Sequence, residues 1–531
     1  MPITHLTMPG REAFAGDVAS SATLGTFATI VLAVVATGLP IVAHLAGQTL
    51  GIAVCFVLAV LVANFAAAAV PVVLIFGYLF QNLFVALVSP AIGDVDQFNA
   101  IRAYNFILTV ASWSVIAGSY WLARARFEPR VRTVMNVSTL ALLAIGLYFA
   151  VGLVSNPSGA IVYLRNIAAP LLLFQVFLLV AQQHRVAVTA ALVLMATGTL
   201  LFGYAELVGQ DRLFRLINGD VYLLWRMKNE IDAGVWIRQM QETGIVYRSY
   251  LDALQSDFLN TPFLADLGIR LPRLGGPNFH PISYAYALAI LSLLLAAIGR
   301  WWFLLLALPL LLVIGSKGAL VLVMLSAGAL LVIGRSRGFA PLWCYAALLL
   351  GYAVTGIAVG LNTQDYHVIG FIGGLRGFLQ NPLGHGIGLG GNLSLNMTTI
   401  DWSRSQNLGS TDVAVESAVG VLLYQMGVVA IALLALLIAV VAILWRNYLR
   451  TRDRTPAALA LGLLTITVNG IFQEEALFSP LALGLMLALC GMALGRGCRR
   501  VYQDRSLRLS GPAKAAISGP YSARASAQQH G

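Results

Sequence analysis

The stretch Val419–Leu444, VGVLLYQMGVVAIALLALLIAVVAIL, carries no charge; it follows Glu416 and stops just short of Arg446. About twenty predominantly apolar residues span a hydrocarbon core as a helix, which pairs its own backbone groups without water. The stretch therefore reads as a membrane span. Working outward, similar runs recur from residue 23 to 497, with approximate limits 23–46, 50–67, 70–90, 105–123, 135–154, 161–181, 186–206, 278–298, 301–315, 318–334, 339–360, 415–444, 456–473 and 478–497. The split near Ala67–Val70, the short run around Pro309 and the long run 415–444 set the expected number of spans at about 12 to 14. The chain reads as an all-α polytopic membrane protein.

Composition points the same way. The 531 residues are 59% hydrophobic and only 10% charged, a balance no soluble domain of this size needs. The net charge of +11 comes largely from arginines in short connections: Arg124, Arg126, Arg130 and Arg132; Arg335 and Arg337; Arg446, Arg450, Arg452 and Arg454; Arg496, Arg499 and Arg500. By the positive-inside rule these connections and both termini belong in the cytoplasm, and no nucleic-acid partner is implied. Two long polar loops, about 207–277 and 361–414, then fall on the outer face with 91–104 and 155–161. The N-terminal segment 1–22 lacks the pattern of a removable signal, and the basic tail 498–531, rich in Ser, Ala, Gly and Pro, is expected to be disordered. Cys55, Cys344 and Cys490 lie inside apolar runs and Cys498 just after one, so neither a disulfide framework nor a zinc spacing is present.

Charges at the outer ends of the runs are the candidates for function. Arg165, in YLRNIAAP, sits inside an apolar run, where an unpaired charge is costly. The first long loop promises amphipathic helices over Arg215–Trp236 and Trp236–Leu259; it ends in RLPRLGGPNFHPISYAYALAI, Arg270–Ile290, which holds Arg273 and His280 at the interface. Such arginines either snorkel to headgroups or grip phosphate through the guanidinium fork. Lys317 stands in the turn IGSKGALVLV. The second long loop brings Arg376, then NPLGHGIGLGGN with His385 among glycines that permit a sharp turn or close approach to a ligand, then Arg404. Glu416 enters the start of the 415–444 run, where a carboxylate must pair with an outer arginine or act as a base. Glu474 and Glu475, between the last two runs, read as simple loop charges.

The ordered blocks RLGGPNFHPISYAYALA, IGSKGALVLVMLSAGAL, FLQNPLGHGIGLGG and ESAVGVLLYQMGVVA resemble those of the O-antigen ligase and polysaccharide polymerase superfamily, over roughly residues 160 to 480. The resemblance implies a GT-C-like helical bundle with two large periplasmic loops. It implies a bacterial inner-membrane glycosyltransferase that moves glycans from undecaprenyl diphosphate without a metal or other cofactor. Its partners would be the lipid-linked oligosaccharide and membrane lipids, and in some systems a chain-length regulator and export machinery. Basic residues near the outer surface hold the diphosphate in that family; the chemistry of displacing a diphosphate itself makes Arg165, Arg273, Lys317 and Arg376 the candidates to stabilise the leaving group, with His280, His385 and Arg404 as further substrate contacts, and Glu416 the candidate base or orienting group. Two departures matter. The family's Ser-Arg-Gly reads Ser316-Lys317-Gly318 here, keeping the charge but losing the fork; and Glu416-Ser417 replaces the His-Asn of ligases, which favours a polymerase. Ligation to lipid A core remains an alternative, as does a flippase, although long loops on one face and the lack of an internal repeat fit a carrier poorly.

Overall fold

The computed structural model describes residues 11–510 except 187, 233, 235–253, 259–267, 334–337 and 395–399. The chain runs through α1 (Arg11–Ala46), α2 (Gln48–Phe65), α3 (Val70–Val88), α4 (Val95–Ile101), α5 (Tyr104–Leu122), α6 (Pro129–Ser155), α7 (Pro157–Gln183), α8 (Val188–Leu216) and α9 (Gly219–Asp232). Strands β1 (Gln255–Asp257) and β2 (Arg270–Pro272) follow, then α10 (Pro281–Ala297), α11 (Trp302–Ile314), α12 (Lys317–Ile333), α13 (Ala340–Asn362) and α14 (Tyr366–Gln380). The last part comprises α15 (Trp402–Leu408), α16 (Ala418–Met426), α17 (Val428–Thr451), α18 (Arg454–Asn469), α19 (Glu474–Phe478) and, after a π turn at Pro480–Gly484, α20 (Leu485–Ser510). Among the described residues ten helical stretches are long and apolar enough to cross a membrane, and α10, α11 and α12 are shorter apolar helices. This is a multi-pass helical membrane protein.

Its axis is the pair α7 and α20. In the most apolar window of α7, 89% of residues are buried, against 17% for α6, which lies at the lipid-facing rim. Apolar area gives no drive for helices to associate within lipid, so close approach and polar contacts hold them together. Gly491 and Gly495, four apart on α20, supply the approach: a Cβ on Gly491 would stand 2.4 Å from the Phe174 carbonyl oxygen, and one on Gly495 2.3 Å from that of Leu178. Gln175 of α7 supplies polar contacts, accepting from Trp113 Nε1 at 2.7 Å and donating to Ser138 Oγ at 2.8 Å, which joins α5 and α6 to the same core.

Several local expectations change. The 415–444 run is not one helix: it breaks at Gly427, where φ is +53°, and the second long loop docks into the break. Val428 N–H donates to the Pro382 carbonyl at 2.9 Å, and His385 and Gly386 N–H to the carbonyls of Tyr424 and Gln425 at 3.0 and 2.9 Å. The connection expected over 155–161 shrinks to Asn156, whose side chain caps α7 and donates to the Gly388 carbonyl at 2.9 Å. The amphipathic stretch Arg215–Trp236 divides at Asn218, which has φ +55°, into the end of α8 and α9. Most of the expected Trp236–Leu259 helix lies outside the described residues, and its end forms β1, antiparallel to β2 with Gln255 opposite Pro272. α20 continues to Ser510, beyond the apolar run; the rest of the tail lies outside the described residues.

Leucine at 495 forces α20 off α7, and overpacking of this kind costs about 1–3 kcal/mol. We expect Gly495→Leu to lower the melting temperature in detergent by several degrees. Gly146→Ala, where a Cβ meets open space, should leave it unchanged or slightly raised.

Candidate functional site

The candidate residues gather at the end of the bundle where α7, α10 and α12 begin. Arg273 directly follows β2, and its N–H donates to the Leu254 carbonyl at 2.7 Å. The next turn is stapled from beneath by Glu206 of α8, fully buried, whose two carboxylate oxygens accept from Gly275 N–H at 2.9 Å and Gly276 N–H at 2.8 Å. From the sides, Arg226 of α9 donates to the Phe279 carbonyl and Asn82 of α3 to the Asn278 carbonyl. This clamp delivers His280 to the N-terminus of α10, where Nδ1 accepts from Ser283 N–H at 3.3 Å.

Burial lowers the His280 pKa, and the charges of Arg226, Arg273 and Arg102 lower it further. The ring is therefore neutral, and with Nδ1 accepting, its proton sits on Nε2 as a donor. Arg102, at the end of α4, also lies within electrostatic range of Arg165 on α7. Burial holds the Arg273 pKa below its ordinary value while Glu475 draws it back up, and Arg273 Nε is buried with no hydrogen-bond partner among the described residues. Four guanidinium groups and one neutral imidazole donor thus make up a cationic basin.

Carboxylates face it. Glu416 occupies the left-handed region at φ +60°, and Ser417 N–H closes onto the Val415 carbonyl at 2.7 Å. An i to i+2 bond around a central residue of positive φ is the rare, strained γ-turn, a conformation that persists only where its surroundings over-determine it. Here they do: Glu416 N–H donates to Asn392 Oδ1 at 2.8 Å, and His367 Nδ1 lies 3.2 Å from the Glu416 carbonyl and 3.4 Å from its carboxylate. Asn392 N–H donates to Glu474 at 2.9 Å, and the other Glu474 oxygen accepts from Tyr163 OH at 2.5 Å. Glu474 is buried, not a simple loop charge; burial pushes its pKa to about 8 against the hydrogen bonds from Tyr163 and Asn392. Glu475 is raised by burial and by Glu416, and lowered by His367 and Arg273. The acidic and basic halves meet at Arg273 and Glu475.

Of the residues singled out in the sequence, Arg165, Arg273, His280 and Glu416 belong to this assembly. Lys317 is exposed at its margin, as the first residue of α12, beside Gly318, whose carbonyl accepts from Asn469. Arg376 donates to Ser410 Oγ, Arg404 is exposed on α15, and His385 stacks on Tyr424 with ring centroids 4.1 Å apart. The glycines around His385 serve packing: a Cβ on Gly388 would fall 2.3 Å from Ala160 N, and one on Gly391 1.8 Å from Tyr163 OH. Arg102, Arg226 and His367 join the assembly without having been singled out, and Glu474 and Glu475 join it after being read as loop charges. Only the paired acids carried a signal, two carboxylates wedged between closely spaced spans. Among the described residues no group of three or more His, Cys, Asp or Glu side chains is placed to hold a metal ion. No family model matches the chain, and no curated protein matches it.

A carboxyl whose pKa rises on folding adds stability below its unfolded value, and that contribution is lost as pH rises through the folded value. We expect the melting temperature of the wild type to fall between about pH 5 and pH 9 as Glu474 ionises. Glu474→Gln should flatten that decline; an unchanged slope would show that Glu474 does not hold the proton.

Proposed function

We propose that the chain is a glycosyltransferase that polymerises undecaprenyl-diphosphate-linked oligosaccharide units into a surface or exported polysaccharide. It would work at the periplasmic face of a bacterial inner membrane, with both termini in the cytoplasm. The observation that carries this reading is the convergence of Arg102, Arg226 and Arg273 about His280, with Arg165 within electrostatic range of Arg102, opposite Glu416 and Glu475, at one end of a membrane bundle. A membrane-level basin of several guanidinium groups suits a multiply charged anion attached to a lipid, and the facing carboxylates suit a hydroxyl that must lose a proton.

The chemistry follows from that pairing. The acceptor sugar hydroxyl attacks the anomeric carbon, the bond from that carbon to the diphosphate oxygen breaks, and the charge developing on the leaving diphosphate is met by the guanidinium groups and His280 Nε2–H. The hydroxyl proton passes to Glu416, which its γ-turn holds at a fixed place. Direct displacement inverts the anomeric centre. Preorganisation matters because the donors are fixed by the fold before the substrate arrives: Glu206 staples the loop carrying Arg273, and Asn392 with His367 orients Glu416. Polymerase is preferred over ligase on the resemblance of the Glu416-Ser417 block.

Removing one such donor costs about a hundredfold or more in rate. In a host carrying the chromosomal variants at normal protein level, Arg273→Ala and Glu416→Gln should each abolish long polysaccharide on a sizing gel while single repeat units accumulate. Arg124→Ala, exposed near the connection to α6, should leave chain length unchanged. Long chains that persist but stay detached from lipid A core would indicate a ligase, and units trapped on the cytoplasmic side a transporter.

A further inference from the structure

Glu416 is walled on two sides and open on a third. Its N–H is taken by Asn392 Oδ1 at 2.8 Å, and behind Asn392 stands the buried Glu474. Ser417, next in the chain, is fully buried, with its Oγ donating to the Gly470 carbonyl at 3.3 Å. On the remaining side is His367, 3.4 Å from the carboxylate, with a side chain 40% exposed against 24% for that of Glu416. The exposed approach to the carboxylate therefore passes over His367.

Two rings flank that approach. Tyr366, which precedes His367 and opens α14, is 49% exposed. Its ring meets that of Trp402, the partly exposed first residue of α15, edge to face, with centroids 4.8 Å apart and planes at 83°. The pair is preformed, because its two chain segments are tied together further along: Thr411 N–H donates to the Ile369 carbonyl at 3.4 Å, Arg376 donates to Ser410 Oγ, and a Cβ on Gly373 would fall 2.3 Å from Thr411 Oγ1. A carboxylate caps each helix beside its ring. Asp365 accepts from His367 N–H and Asp401 from Arg404 N–H, both through Oδ1 at 3.0 Å, which leaves the second oxygen of each for another donor.

We infer that Tyr366 and Trp402 are the platform on which the acceptor saccharide stacks, with Asp365 and Asp401 taking hydrogen bonds from its hydroxyls. This rests on the proposed function for the identity of the saccharide. A pyranose ring carries C–H bonds on its faces and hydroxyls around its rim. The C–H face suits the negative face of an aromatic ring, and a carboxylate, which only accepts, suits hydroxyl donors. The same chemistry disfavours a lipid as the occupant: two carboxylates repel anionic headgroups, and acyl chains have no use for them. A saccharide seated on the pair extends over His367 to Glu416, so the platform also selects which of its hydroxyls reaches the base, and with that the linkage formed.

The probe is the single repeat-unit oligosaccharide cut from the host's own polysaccharide by mild acid, free of lipid, titrated into the full-length protein in lipid nanodiscs and followed by saturation-transfer NMR. We expect Tyr366→Ala and Trp402→Ala each to weaken its binding about tenfold at an unchanged melting temperature. Leucine at either position, which keeps apolar bulk but has no π face, should weaken it as much; phenylalanine should retain it. Leu408→Ala, exposed at the other end of α15, should have no effect. Absence of saturable binding to the wild type, or binding that survives the alanine and leucine variants, would overturn the proposal, as would equal loss from phenylalanine and alanine. In the host, Trp402→Ala should shorten the polymer. If the ring variants leave saccharide binding unchanged while Arg273→Ala abolishes long polymer, the platform is wrong and the polymerase reading stands. If they weaken binding but Arg273→Ala and Glu416→Gln leave the polymer intact, the saccharide site stands and the polymerase reading falls.

Discussion

The mutual repulsion of like charges at one end of the helical bundle is the constraint on which the rest of this structure depends. Guanidinium groups do not surrender their protons, so bringing Arg102, Arg165, Arg226 and Arg273 close together is tolerable only if something nearby lowers the local potential. Two contacts do so, and His280 stays neutral and adds no further charge. Glu475 stands within electrostatic range of Arg273. Arg226 spends part of its donor set on the Phe279 carbonyl. Glu206, though buried against this loop, is not a counterion of the same kind: both its oxygens are occupied by the Gly275 and Gly276 amides. It fixes the backbone that aims Arg273, and a residue that orients a charge is distinct from one that neutralises it.

The bundle and the loops are mechanically one object. The second long loop does not lie on top of the helices; its backbone bonds to the residues on either side of the Gly427 break, and its glycines press on α6 and α7. From that anchorage Asn392 reaches two acids at once, accepting from Glu416 N–H and donating to Glu474. The position of Glu416 is therefore set by contacts with the loop as much as by the helix it precedes.

Hydropathy made the helical membrane architecture legible, because each span is written in consecutive residues. Arg165 and Glu416 were legible for the same reason: a charge inside or at the edge of an apolar run stands out against its neighbours. Arg102 and Arg226 were not, since each lies in a polar stretch where a charge is unremarkable, and only tertiary packing carries it to His280. Glu474 and Glu475 occupy a connection short enough to look like an ordinary turn, and their burial comes from α7 and the second loop, more than eighty residues away in the chain for Asn392. The Gly427 break escaped notice because hydropathy is continuous across it; what breaks the helix is a loop that supplies substitute hydrogen bonds, a fact of pairing that no local average records.

If Glu416 is the base we propose, its γ-turn sets stability and activity against each other at a single position. Any residue with a Cβ is strained at φ +60°, whereas glycine adopts that conformation freely. Selection for robustness alone would therefore drive position 416 toward glycine. Under the mechanism proposed above, the carboxylate is kept there at the cost of conformational strain, which makes it a site where thermostabilised variants and active variants of the protein should part company.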